Sequence, residues 1–67
     1  MNITFNSRLI NCPDHCSVLD LLRQEKLLQK GGMAVAVNGR IVRKPEWEGR
    51  TLCPGDDVTV VFAAYGG

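Results

Sequence analysis

Apolar and polar residues alternate at the start of the chain, with Met1, Ile3 and Phe5 on one side and Asn2 and Thr4 on the other. A period of two marks a half-buried strand. Asn6-Ser7 supplies turn chemistry and residues 8–12 resume as a second strand, so the short connection predicts an antiparallel hairpin. Pro13 has no donor for the ladder and ends it. The period then lengthens. Val18, Leu21 and Leu22 recur at i, i+3 and i+4, with Leu19 widening the stripe, opposite Arg23, Gln24 and Lys26. This is one amphipathic helix over residues 18 to 27 or 28. Ser17 is placed as its N-cap, with Asp20 three positions on in a capping-box spacing. Lys26 and Lys30 suit its C-terminal dipole, and Gly31-Gly32 are expected to stop it.

Residues 33–37 form a short apolar run of Val and Ala, followed by Asn38-Gly39. Asn-Gly is the strongest two-residue hairpin signal, because a type I′ turn needs positive φ twice. Residues 40–43 return as a strand. Lys44-Pro45-Glu46-Trp47 reads as a turn or one short helical turn, and Leu52-Cys53 as a brief edge segment. Pro54-Gly55-Asp56-Asp57 is a turn feeding the last strand. That strand begins at Asp57 and carries Val58, Thr59, Val60, Val61 and Phe62, so it is expected to be buried on both faces or nearly so.

Two hairpins, one helix and a final strand exclude a doubly wound architecture. The helix stripe needs one sheet face to cover, which gives an α+β fold with a mixed sheet of four or five strands packed on one main helix. The last strand is expected beside the first, parallel to it, at the sheet centre. This is a β-grasp, or ubiquitin-like, arrangement. The expected division is a β-grasp domain over residues 1–63 and a flexible tail over residues 64–67.

Composition narrows the function. At 67 residues the chain makes one small domain. A net charge of +1, with basic and acidic residues interleaved, gives no electrostatic case for nucleic acid or an anionic membrane. The longest apolar runs are too short to span a bilayer, and the first residues lack the pattern of a signal peptide. A cytoplasmic location is expected. Three cysteines, Cys12, Cys16 and Cys53, argue against a disulfide framework. Neighbouring His15 and Cys16 would need a contorted backbone to point at one ion, so no metal site is expected and the thiols read as small hydrophobes. No pair of carboxylates is placed for acid–base work, and Gly31-Gly32 lacks the Lys and Ser/Thr of a phosphate loop. Arg8, Arg40, Arg43, Lys44 and Arg50 read as a solvated face, His15 as a loop residue, and Trp47 as cover for the sheet edge or core.

The remaining signal is the end of the chain. After the last strand come Ala63-Ala64-Tyr65 and then Gly66-Gly67. Glycine has no Cβ, so an extended Gly-Gly segment enters a narrow channel without a clash. The terminal carboxylate, with an ordinary pKa near ~3.5, is ionised at neutral pH and able to attack an activated phosphate. Tyr65 is the one bulky residue there, either a partner-binding anchor or a side chain folded back on the sheet.

The length, the hairpin Val37-Asn38-Gly39-Arg40-Ile41-Val42 with Trp47 following, Gly55-Asp56 before the last strand, and the closing Gly66-Gly67 together resemble the ThiS family, the sulfur carriers of thiamine biosynthesis. The resemblance covers essentially the whole chain. It implies that a ubiquitin-activating-like adenylyltransferase attaches AMP to the carboxylate of Gly67. A sulfur donor such as a cysteine desulfurase persulfide then leaves a thiocarboxylate, and thiazole synthase takes the sulfur for the thiazole ring. Gly66 and Tyr65 would meet the partner, and ATP and magnesium would belong to the activating enzyme, with no cofactor bound by the carrier itself. The carrier would thus be a co-substrate and not an enzyme. Three other functions share the architecture: a small subunit of molybdopterin synthase, a ubiquitin-like protein modifier, and a plain interaction domain. A plant-type ferredoxin is excluded, because its four cysteine ligands are not here.

Overall fold

The structure is a computed structural model and describes residues 1–62. Five strands and one helix follow one another as β1 (Asn2–Phe5), β2 (Arg8–Asn11), α1 (Val18–Gln24), β3 (Met33–Val37), β4 (Arg40–Val42) and β5 (Asp57–Phe62), with a single 3-10 turn at Lys44–Glu46 between β4 and β5. The strand order is β2-β1-β5-β3-β4. β1 pairs antiparallel with β2 and β3 antiparallel with β4, as the two short connections require. β5 lies between the hairpins, parallel to β1 and antiparallel to β3. The α+β, β-grasp expectation is met, including the central place of the last strand.

Both hairpin turns run through left-handed backbone. Asn6 and Ser7 have φ 50° and 68°, and Asn38 and Gly39 have φ 52° and 81°. Positive φ at both central positions matches the right-handed strand twist, and Asn and Gly carry it at least cost. Ser17 caps α1 in a full capping box, its hydroxyl accepting from the Asp20 N–H at 3.0 Å while the Asp20 carboxylate accepts from the Ser17 N–H at 3.2 Å.

The inner sheet face contributes Ile3, Phe5, Val35, Val37, Val42, Val58 and Val60 to one core, and α1 contributes Val18, Leu21 and Leu22. Cys12, Cys16, Trp47 and Leu52 complete it. Trp47 is buried and its Nε1–H donates to the Val42 carbonyl at 2.8 Å, so the indole belongs to the core and also covers the edge strand β4.

Four expectations are corrected. The helix ends at Gln24, well before Gly31-Gly32. Lys26 takes the left-handed conformation, φ 60°, and the N–H groups of Lys26 and Leu27 return to the carbonyls of Arg23 and Leu22 at 3.1 and 2.9 Å. This is a Schellman motif, which satisfies the last carbonyls and stops the helix without glycine. Second, β5 is buried on one face only. Val58 and Val60 point inward, while Val61 on the opposite face is 59% exposed, because a single helix covers a single sheet face; Phe62 shares the inward side but lies at the strand end, 43% exposed. Third, Cys53 is exposed, unlike buried Cys12 and Cys16, because its turn leads out of the core before Asp56 folds back. Fourth, Leu52-Cys53 is no strand: the segment makes one bridge, Ser17↔Thr51, beside the α1 N-cap.

Candidate functional site

The sequence points to Gly67, Gly66 and Tyr65, and all three lie outside the described residues, as does the expected flexible tail over residues 64–67. What is described is the strand that leads to them, and it is anchored along its length.

At its start, Gly55 turns the chain with φ 84° and Asp56 is buried. The Asp56 carboxylate accepts from Asn38 Nδ2 at 3.0 Å and from the Cys53 N–H at 2.8 Å. Asn38 Oδ1 in turn accepts from the Asp57 N–H at 2.9 Å. The β3–β4 turn is thereby bolted to the first residue of β5, and the carboxylate spends its lone pairs on structure. Thr4 adds a hydroxyl donated to Asp57 Oδ1 at 2.7 Å.

At its end, β5 is paired with β3 as far as Met33↔Phe62. The Lys30 ammonium lies 5.8 Å from the centroid of the Phe62 ring, within reach of a cation–π attraction. On the opposite flank the Asn6 side chain accepts from the Val60 N–H at 2.8 Å.

The outer sheet face is open to solvent and poor in charge. Leu9 is 72% exposed on β2, Ile41 67% on β4, and Val61 lies between them on β5. Register places Ala36 beside Ile41, Ala34 beside Val61 and Thr4 beside Leu9. Isolated exposed leucines need no explanation, and these three are spread across the face: Leu9 is level with the start of β5, Ile41 with its middle, and Val61 lies near its end.

The Cys16 thiol is no nucleophile in the core. Burial, with the adjoining Cys12 thiol and Asp20 carboxylate, pushes the Cys16 thiol up to about 11. At neutral pH it stays protonated, and the thiol is a far weaker nucleophile than the thiolate. Among the described residues no three His, Cys, Asp or Glu side chains are grouped as metal ligands. His15 is an exposed loop residue at φ 63°. Arg8, Arg40, Arg43 and Lys44 are exposed and Arg50 half-buried, and the ion pairs among the described residues are instead Asp20–Arg23 and the Met1 ammonium with Asp14. No helix of the described residues is long and apolar enough to cross a membrane.

Sequence reasoning missed Asn6, the Lys30–Phe62 contact and the outer face. The first two join positions 54 and 32 residues apart, so no local pattern carries them. The outer face did leave a signal, since Leu9 and Ile41 fall out of phase with the inward Ile10 and Val42.

Residues 3–67 match the sequence profile of the ThiS family. The crystal structure of a thiamine biosynthesis protein (ThiS) from Geobacter metallireducens superposes with a TM-score of 0.87 at 26% identity, covering 100% of both chains. The solution structure of a thiamine biosynthesis protein from the same organism gives a TM-score of 0.79 at 26% identity, over 100% of this chain and 88% of that one. No curated protein matches the chain significantly. A profile that runs through the last strand to Gly67, on a β-grasp that superposes over its full length, leads to one conclusion: the protein belongs to the ThiS family.

Proposed function

We propose that the protein is a sulfur carrier of thiamine biosynthesis, with the carboxylate of Gly67 as its working group. An adenylyltransferase binding MgATP joins the carboxylate to AMP and releases pyrophosphate. This turns a poor electrophile into a mixed anhydride with a good leaving group. The outer sulfur of a persulfide, carried by a donor such as a cysteine desulfurase, displaces AMP. A thiol then cleaves the resulting acyl disulfide and leaves a thiocarboxylate. Thiazole synthase withdraws the sulfur, and the carrier returns as a carboxylate.

One observation carries this reading. The central strand of a ThiS-family β-grasp, fixed by hydrogen bonds at its start and along its last half, leads directly to Gly66-Gly67. The body has the task of presentation, and the partner supplies the electrostatics of phosphoryl and acyl transfer. The buried Asp56 and the protonated Cys16 thiol are occupied in holding the fold. The open apolar face with Leu9, Ile41 and Val61 gives the partner a surface to rest on while the tail enters its active site.

The test is intact-protein mass spectrometry with fragmentation, after incubation with ATP, magnesium, the adenylyltransferase and a persulfide donor. Replacement of one oxygen by sulfur, localised to the Gly66-Gly67 fragment, is the expected result. Localisation separates it from oxidation of Met1 or Met33, which adds nearly the same mass elsewhere. A carboxylate that stays bare under these conditions refutes the proposal, and a lysine conjugate in its place makes the protein a modifier.

A further inference from the structure

We infer that Asn6 is a positioning residue for activation of the terminal carboxylate, an inference that rests on the carrier reading above. β1 pairs with β5 through Thr4↔Asp57 and Phe5↔Val58. The last backbone link runs from the Asn6 N–H to the Val58 carbonyl at 2.9 Å. There the chain turns away, with Asn6 and Ser7 both in left-handed backbone. A parallel neighbour that ran straight on would next offer a carbonyl to the Val60 N–H. The Asn6 side chain supplies it, Oδ1 accepting from Val60 N at 2.8 Å.

Asparagine suits both demands at this position. It tolerates positive φ better than other residues with a Cβ, and its amide carbonyl mimics a backbone acceptor. The side chain thus extends β1 past its own end and stays on β5 to within two residues of Phe62. On the other flank the Met33↔Phe62 pair holds the same stretch, and Lys30 lies over the Phe62 ring. Held on both flanks, β5 keeps one direction up to Phe62. With Asn6 shortened, the β1 flank is bare beyond Val58 and the strand end can splay. Fewer carriers then approach the partner with the end of β5 aligned, which weakens productive docking without altering the chemistry of a carboxylate already seated.

Two variants separate this role from a structural one. Asn6→Gly accepts φ 50° without strain and removes the acceptor, while Asn6→Asp keeps an acceptor. Carrier-dependent adenylation is measured well below the melting temperature of each variant, with the carrier concentration varied. Amide hydrogen exchange at Val60 is followed by NMR on the same samples. For Asn6→Gly the KM for the carrier should rise, by at most about fivefold, with kcat within about twofold of the original, because loss of one hydrogen bond bounds the shift in the aligned fraction. Exchange at Val60 should quicken, and Asn6→Asp should restore both readouts. Lower stability alone reduces the melting temperature but leaves the KM of the folded carrier where it was. An unchanged KM in Asn6→Gly, or an Asn6→Asp carrier as impaired as Asn6→Gly, overturns the inference while the carrier reading stands. So does a Val60 amide that exchanges in the unmutated protein as fast as an unpaired edge amide, whether or not a variant folds. An unmutated carrier that is never adenylated overturns the carrier reading and this inference with it.

Discussion

Replacing Ile41 with alanine removes three carbons from the outer sheet face. At about 0.8 kcal/mol per buried carbon, those atoms are worth about 2.4 kcal/mol when fully covered. Ile41 is 67% exposed, so roughly a third of that sum already serves the fold and roughly two-thirds is available to a partner. The folding share, about 0.8 kcal/mol, lowers the melting temperature by roughly 3–6 °C in a domain of this size. The docking share, about 1.6 kcal/mol, corresponds to about a 15-fold weaker complex. The assay is the rate of ATP–pyrophosphate exchange by the adenylyltransferase as the carrier is titrated. KM should rise by about that factor with kcat unchanged, since a contact far from the reacting carboxylate is made equally before and during the chemical step. Leu9→Ala, at the opposite edge of the same face, should act in the same direction. If both variants keep KM within about twofold of the original, the outer face is not where the partner rests, and the exposed apolar positions lose their functional meaning.

Trp47→Phe removes the Nε1–H bond to Val42 and part of a buried ring, so it should cost about 2–4 kcal/mol by urea denaturation followed by circular dichroism, and a loss below about 0.5 kcal/mol would contradict the described core. The backbone N–H of Ser17, then its hydroxyl, hold the Asp20 carboxyl below its ordinary value of 3.8. A carboxyl depressed by folding adds stability that is complete above the unfolded value and is lost as pH falls through the folded one. Asp20→Asn should therefore flatten the decline of stability below pH 3.8, and an acid limb of unchanged steepness counts against the capping box. Gly66→Ala should slow adenylation severalfold with an unchanged melting curve, and normal adenylation would sink the narrow-channel reading of Gly-Gly.

The sequence displayed its hairpins openly. Asn38-Gly39 names its own turn type, and the strand count with one amphipathic stripe leaves little but a β-grasp with β5 in the middle. The helix end was hidden because its stop signal is a backbone conformation at Lys26, a residue whose identity does not announce it, while the glycines at 31–32 advertise an end that had already occurred. β5 misled for a different reason. A run of Val and Phe looks alike whether its second face is buried or left to solvent, and only the absence of a second layer over Thr59 and Val61 distinguishes the two. Gly66-Gly67 is a local signal, and its chemistry is the proposal made above. Asn6 is not, because its meaning lies in Val60, on a strand that local pattern does not join to it.

The hairpins join strands that are neighbours in sequence, whereas Thr4 meets Asp57 across 53 residues. Closing so long a loop costs entropy before any contact returns it, so this pairing sets the pace of folding. During synthesis both hairpins and the helix leave the ribosome first, yet β1 and β3 share no neighbour until β5 arrives between them. A lone two-stranded hairpin is marginal in water, and the two hairpins become one sheet only when β5 arrives. Assembly is close to all-or-none and is completed by the strand that leads to the terminal glycines. A chain that is cut, damaged or unfinished anywhere in the sheet loses the seat of that strand and presents its end from an unfolded body. Recognition of the presented end by an activating enzyme would then double as quality control, charging with sulfur only those carriers whose whole domain has folded.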